Sequence, residues 1–287
     1  MTQQIKNGPN SGSWTLETYD EQLQYGFKRS ELLFSEASPF HTIEVIQTPT
    51  HGRILMSDGS FIFSERDEAI YHEMIAHVPL FVHAQAKNVL VLGGGSGGIA
   101  REVIKHVSVE RCTVVERDQA VVNACKAFLP QTAAAFFSPR VKLIIQDEFD
   151  WISSTKEIFD VILIDATDLI SDEVYASLKK ILAPKGLIVS QAESPFYAGA
   201  LQANFAQILK NHFKRVHFYN FTNLTYPGGL WSLSFASDGT HPIDDFSTSR
   251  IASSGIEFEW YNSGMHEAAF LLPQFQKDHL KDFLNPL

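Results

Sequence analysis

Five glycines and one serine fill positions 93 to 98, and a lone carboxylate, Glu116, follows some distance on. The apolar run Val89 to Leu92 breaks into these glycines, and a helix is expected to begin at Ile99. Glycines let a backbone turn sharply and approach a ligand closely, and the helix start behind them offers unpaired N–H groups. A second apolar run, Cys112 to Val115, ends at Glu116, whose carboxylate can accept both hydroxyls of a ribose. A third, Val141 to Ile145, is followed by Asp147, and a fourth, Phe159 to Ile164, ends at Asp165. Ligands of open α/β sheets sit outside the carboxyl ends of the strands, so Gly93, Gly94, Gly95, Glu116, Asp147 and Asp165 are expected to converge on one crevice. The spacing Gly93-x-Gly95-x-x-Gly98 by itself fits a dinucleotide site or simple packing equally well. Strand-end acids also begin turns or cap helices, a reading that explains any one of them more easily than all three. Together the acids would repel a pyrophosphate and suit a nucleoside that carries positive charge. A sulfonium of the S-adenosylmethionine type is therefore favoured over NAD.

The elements that must position these residues follow from the apolar pattern. Leu32 to Phe34, His41 to Ile46 and Arg53 to Met56 are short β-rich runs, separated by turn signals at 48–52 and at Asp58-Gly59. They predict a small antiparallel domain over 1–66, with a flexible polar tail at 1–10. Asp67 to Val82 is expected to be a helix with Ile70, Met74 and His77 along one side. Strands are expected near 89–92, 112–116, 141–145, 159–164, 187–190 and 215–221, with a closing strand at Trp231 to Ala236. Strand–helix alternation of this kind predicts an α/β fold over 67–287, a mainly parallel Rossmann-like sheet with helices on both faces. Helical stretches and an aromatic patch around Phe258 to Tyr261 are expected after His241. No internal repeat is apparent.

Composition sets the partners. The chain has 287 residues, 45% of them hydrophobic, enough for a sizeable core. With 23 basic and 33 acidic residues its formal net charge is −10, which disfavours nucleic acid and is compatible with a cationic substrate. Cys112 and Cys125 form no disulfide framework and no metal-ligand spacing. The N-terminal residues lack a signal-peptide core and no apolar run is long enough for a membrane span, so a cytoplasmic protein without a membrane partner is expected.

His72 and His77 superficially suggest a zinc-protease motif. Their spacing is i to i+5, whereas that motif needs i to i+4 to place both rings on one helix face. No metal is expected, and His77 is read as a packed core residue. Tyr71 and His72 are expected to border the crevice. No Ser-His-Asp order or nucleophile elbow supports hydrolase chemistry.

The chain resembles the spermidine synthase family of polyamine aminopropyltransferases. The matching runs are 64–68 (SERDE), 71–74 (YHEM), 77–81 (HVPLF), 89–95 (VLVLGGG) and 101–103 (REV). The tail residues Tyr261, Asn262, His266, 268–270 and 272–274 resemble bacterial members, and the similarity runs from Trp14 onward. The resemblance implies a methyltransferase-like Rossmann domain beside an N-terminal β-domain, and a homodimer. It implies transfer of an aminopropyl group from decarboxylated S-adenosylmethionine to a diamine or polyamine, with release of methylthioadenosine. It also implies site roles. Asp165, in Asp165-Ala-Thr-Asp168, would accept or relay the amine proton, and Asp168 would hold ammonium charge. Tyr71, His72 and Tyr226 would line the amine channel. Glu116 would hold the ribose, and Asp147 would meet the adenine amino group. The chemistry agrees: a sulfonium is a good leaving group, while an alkyl ammonium, with a pKa near ~10, must first lose a proton.

The sequence departs from the family pattern mainly around the substrate site. Ser96 stands where an aspartate holds the donor's amino group, His41 and Ile62 stand where glutamines are usual, and Glu148 replaces a glycine. The proline-rich segment after Asp168 is missing, and 169–173 leads straight into a helix. Two other readings are therefore carried. One is transfer of a 3-amino-3-carboxypropyl group from intact S-adenosylmethionine. The other is a weak paralogue that binds nucleoside or polyamine.

Overall fold

The structure, a computed structural model, describes residues 13–19, 23–83 and 85–287. The flexible tail expected at 1–10 lies outside them. β1 (Trp14–Tyr19) and β2 (Leu23–Lys28) form an antiparallel hairpin. β3 (Glu31–Ala37), β4 (Thr42–Thr48), β5 (Gly52–Ser57) and β6 (Ser60–Ser64) follow as a four-stranded antiparallel meander. Asp58 and Gly59, between β5 and β6, take φ of 49° and 84°. Two successive positive φ values are what a type I′ two-residue hairpin loop demands, and they explain the Asp-Gly signal.

After α1 (Glu68–Val82) the chain alternates strand and helix. The elements are β7 (Asn88–Leu92), α2 (Gly98–Lys105), β8 (Arg111–Glu116), α3 (Gln119–Phe128), α4 (Pro130–Ala133) and β9 (Val141–Ile145). Then come α5 (Glu148–Ser154), β10 (Phe159–Ile164), α6 (Asp172–Ile181), β11 (Leu182–Gln191) and α7 (Gly199–His212). The seven-stranded sheet closes with β12 (Arg215–Thr222) and β13 (Leu230–Ser237), in the order β12-β13-β11-β10-β7-β8-β9. β7 to β11 run parallel, and β13 is antiparallel to both its neighbours. Short helices α8 (Thr248–Ser254), α9 (Ser263–Ala269) and α10 (Gln274–Leu280) end the chain.

Both faces of this sheet are covered, which is why its central strands are almost wholly apolar. Along β7, Val89 and Val91 enter the core shared with α1 and α2, while Leu90 and Leu92 enter the core shared with α5, α6 and α7. A further core joins the meander to the Rossmann unit: Ile43, Val45, Leu55 and Phe63 pack on Ala120, Ala124 and Cys125 of α3. This contact seats the β-meander over the carboxyl ends of the parallel strands.

α1 departs from the expected one-sided helix. Every residue from Tyr71 to Val82 is buried. The sheet and α2 take two sides, and the C-terminal segment covers another, with Glu73 accepting the N–H groups of Glu259, Trp260 and Tyr261 at 2.7–2.9 Å. His77 is buried as expected, its ring packed among Phe81, Phe258 and Tyr261, and both ring nitrogens have polar partners. Its ring bonds His106 at 2.9 Å and Glu102 at 3.0 Å.

Candidate active site

The strand order reverses direction between β7 and β10, and a cavity of about 480 Å³ opens at their carboxyl ends. Such a switch point is where the two adjacent connections leave in opposite directions and a crevice forms. The meander and β1 supply the opposite wall through Glu17, Ile43, Leu55 and Phe63.

On one side of the cavity the glycine loop and Glu116 interlock. Glu116 accepts hydrogen bonds from Gly95 N–H at 2.9 Å and Asp118 N–H at 2.8 Å. A Cβ on Gly95 would fall 2.7 Å from the Glu116 carboxylate, so glycine is needed for this approach. Gly98 is required for another reason: its Cβ would lie 2.2 Å from the ring of His72. That ring is buried and held by Glu68 at 2.5 Å, and Arg101 grips the same carboxylate at 2.7 and 2.8 Å. Against the cost of burial, His72 and Arg101 hold the Glu68 carboxyl down at about 2.

Glu148 reaches the same cavity from the start of α5, with its carboxylate accepting the Arg117 N–H at 3.2 Å. Burial pushes its pKa up to about 7, and neighbouring Glu116 acts in the same direction. Burial likewise raises Glu116. Asp147, one residue earlier, is exposed, caps α5 through Asp150 N–H at 3.0 Å, and does not line the cavity. Ser96, His41 and Ile62 do line it. His41 is oriented by Asp58 at 2.8 Å, and Ser96 Oγ accepts the N–H of Gly98 at 3.3 Å.

Asp165 stands at the end of β10, where Tyr71 donates its phenolic O–H to Oδ1 at 2.5 Å. Burial pushes the Asp165 pKa up to about 6, against the hydrogen bond from Tyr71 and the charge of His72. Tyr226 packs edge-on to Tyr71, 6.3 Å between ring centres, and against Trp231 at 4.9 Å. Burial and the nearby Asp165 raise both tyrosines well above their ordinary range, so both stay protonated, and Tyr71 donates to Asp165.

Two acids named neither by the strand-end pattern nor by the family resemblance also line the cavity. Glu193 follows β11 and has φ of 58°, rare for a residue with a side chain. Its carbonyl is held by Gln202 Nε2 at 3.1 Å and Ser232 N–H at 3.0 Å, and burial raises its carboxyl pKa. It is one more acid at a strand end, so the rule that found Glu116 and Asp165 extends to it. Glu17, from β1, accepts the Phe61 N–H at 2.8 Å, and burial raises it too. Nothing in the sequence around Glu17 marked it, because only the seating of the β-domain brings it here.

The cavity thus gathers carboxylates at 17, 116, 148, 165, 168 and 193, against one arginine, Arg117. Arg117 pairs with Asp168 at 2.6 Å and lies 5.6 Å over the ring of Phe40. The family resemblance implies an ammonium for Asp168; in this structure that carboxylate already has a cation. Among the described residues no group of three metal-ligating side chains occurs, and no helix is long and apolar enough to cross a membrane.

A walled acidic cleft at a Rossmann switch point suits a cationic nucleoside and a cationic second substrate. Comparison with known proteins gives this shape a lineage. Residues 68–245 match the spermine/spermidine synthase domain, and residues 13–65 match the spermidine synthase tetramerisation domain. The polyamine aminopropyltransferase of Thermoanaerobacter sp. (strain X514) is 39% identical over 274 residues, covering 92% of this chain and 97% of the relative. That of Methanocaldococcus jannaschii is 37% identical, covering 94% and 96%. The solved spermidine synthase of Thermotoga maritima superposes with a TM-score of 0.92 at 34% identity, over 97% of both chains. A spermidine synthase solved in complex with the transition-state analogue AdoDATO gives the same TM-score and identity, over 97% of this chain and 98% of that one. Fold, glycine loop and acidic cleft therefore have one common explanation: the chain belongs to the spermine/spermidine synthase family.

Proposed function

We propose that the protein is a polyamine aminopropyltransferase, moving an aminopropyl group from decarboxylated S-adenosylmethionine to a diamine or polyamine. The observation that carries this is Asp165, a carboxyl with pKa of about 6, held by Tyr71 inside a cavity of carboxylates. Donor and acceptor are both cations, and binding them together needs several counter-charges in one place. The relatives named as polyamine aminopropyltransferases and the neighbour solved with AdoDATO support the same reading.

In the reaction the acceptor ammonium loses a proton to Asp165, and the freed nitrogen lone pair attacks the propyl carbon next to sulfur. The carbon–sulfur bond breaks, its electron pair returns to sulfur, and neutral methylthioadenosine leaves. Tyr71 orients Asp165, and Tyr226 with His72 walls the amine channel. Gly93, Gly94 and Gly95 bring backbone close to the nucleoside, and Glu116 accepts its ribose hydroxyls. Glu148 faces the nucleoside from inside the cavity, whereas Asp147 can reach the base only by leaving its cap on α5. Glu193 and Glu17 supply charge for the acceptor's distal ammonium. Asp168 can serve an ammonium once Arg117 gives it up.

The same proposal takes 1–66 as the tail and β-domain and 67–287 as the catalytic domain, working as a cytoplasmic homodimer. The match of 13–65 to a tetramerisation domain supports self-association. A second donor, intact S-adenosylmethionine, is favoured by one observation, Ser96 at the cavity wall in place of a carboxylate. The test is incubation with each sulfonium donor and a panel of amines, with mass spectrometry of products. Aminopropylated amine plus methylthioadenosine is expected; no product from any pair would overturn the reading.

A further inference from the structure

The wall that carries Tyr226 is not held by its own strands alone. Residues 223–229 link β12 to β13, and the carboxylate of Asp67, just before α1, sits beneath them. Asp67 is 1% exposed, and no ion pair reaches it among the described residues. Its Oδ2 accepts the N–H groups of Leu224 at 2.9 Å and Thr225 at 2.8 Å. Thr225 Oγ1 lies 2.7 and 2.8 Å from its two oxygens. From the other side Ser64 Oγ donates to Oδ1 at 2.5 Å, with Ser64 N–H at 3.2 Å. Asn223 Oδ1 closes the loop by accepting Thr225 N–H at 2.7 Å, and Trp231 Nε1 donates to Pro227 O at 3.0 Å.

We propose that Asp67 is a positioning residue for acceptor recognition: one buried carboxylate ties the 223–229 loop to the start of α1, and so sets Tyr226 against Tyr71 and Asp165. The helix that follows Asp67 brings Tyr71 and His72 to the cavity, and the loop it grips brings Tyr226 and Pro227. Both halves of the amine wall therefore take their register from a single side chain. Hydrogen bonds to a buried charge are strong and directional, so they fix a loop better than apolar packing does. None of the bonds to Asp67 involves Glu116 or the glycine loop, so loosening the clamp leaves the nucleoside half in place.

This inference rests on the reading of Tyr226 as part of the acceptor wall. Thr225→Val removes the hydroxyl that meets both Asp67 oxygens and keeps the side-chain shape, and Thr225→Ser retains that hydroxyl. Asp67→Asn keeps the shape of the carboxylate and removes its charge. Amine binding to the methylthioadenosine complex is measured by calorimetry, together with KM and kcat for the amine and the affinity for methylthioadenosine alone. Thr225→Val and Asp67→Asn are expected to weaken amine binding and raise its KM at least fivefold, with methylthioadenosine affinity within twofold of wild type. Thr225→Ser is expected to restore the amine values. Unchanged amine binding in both variants, or parallel loss of amine and nucleoside affinity, overturns the clamp. Amine binding to wild type without turnover overturns the transferase reading and leaves the clamp standing; no amine binding overturns both.

Discussion

The phenolic O–H of Tyr71 in α1 donates to Asp165 at the end of β10, at 2.5 Å, although the two are 94 positions apart in the chain. A hydrogen bond of this length to a carboxylate is charge-assisted and holds the oxygen in a fixed direction. It also opposes the burial that raises the Asp165 pKa to about 6. Asp165→Asn is expected to lower turnover at least ~100-fold with nucleoside affinity little changed, because an amide keeps the shape but cannot take a proton. Near wild-type turnover would remove Asp165 from the mechanism.

Proton transfer to Asp165 requires its ionised form, so turnover should rise with pH and level off above about 6. Tyr71→Phe removes a bond that lowers this pKa, so the break should move to higher pH, with turnover reduced about tenfold. A pH–rate profile unchanged in Tyr71→Phe would separate the tyrosine from the titrating group.

Glu116 receives two backbone N–H groups that leave it oriented towards the crevice. Glu116→Gln is expected to weaken both methylthioadenosine and the sulfonium donor by roughly 1.5–3 kcal/mol, the worth of hydrogen bonds to a charged acceptor. Calorimetry giving equal affinity for the two proteins would place the ribose elsewhere.

Glu148 has a pKa of about 7, so it is neutral below that pH and an anion above it. Methylthioadenosine is neutral and the donor is a cation, so the preference for donor should grow as pH rises through this point. A tenfold gain corresponds to roughly 1.4 kcal/mol, a modest charge interaction in a partly solvated cavity. With both affinities measured at pH values above the Asp165 break at about 6, Glu148→Gln should flatten this ratio; a slope retained there in that variant would assign the effect to another acid.

Ser96 lacks the carboxylate that would attract a donor ammonium and repel a donor carboxylate. Unit charges ~4 Å apart at an effective dielectric near ~20 interact by about 4 kcal/mol before desolvation, and a fraction of that shifts preference more than tenfold. Wild type should therefore discriminate weakly between decarboxylated and intact S-adenosylmethionine, and Ser96→Asp should restore preference for the decarboxylated form. A wild type that already prefers it several hundredfold would make Ser96 a neutral replacement and end the carboxypropyl reading.

The sequence alone determined whatever depends on local pattern. Apolar strands ending in glycine or acid located β7, β8 and β10 with Glu116 and Asp165, because strand ends and tight turns are written in a few consecutive residues. The Asp58-Gly59 turn was legible for the same reason. Tertiary structure decided what depends on which surfaces meet. α1 reads as one-sided, yet three neighbours bury it all round, and His77 sits in a polar network because α2 brings Glu102 and His106 to it. Asp147 and Glu148 are adjacent in the chain, but the first turn of α5 sends one outward to cap the helix and the other into the cavity. Arg117 finds Asp168 only because β8 and β10 end on the same side of the sheet. Glu17 joins the acidic wall only because the meander is seated on α3. Such pairings join residues tens to more than a hundred positions apart through packing of whole elements, and no local pattern encodes which of their side chains will face one another.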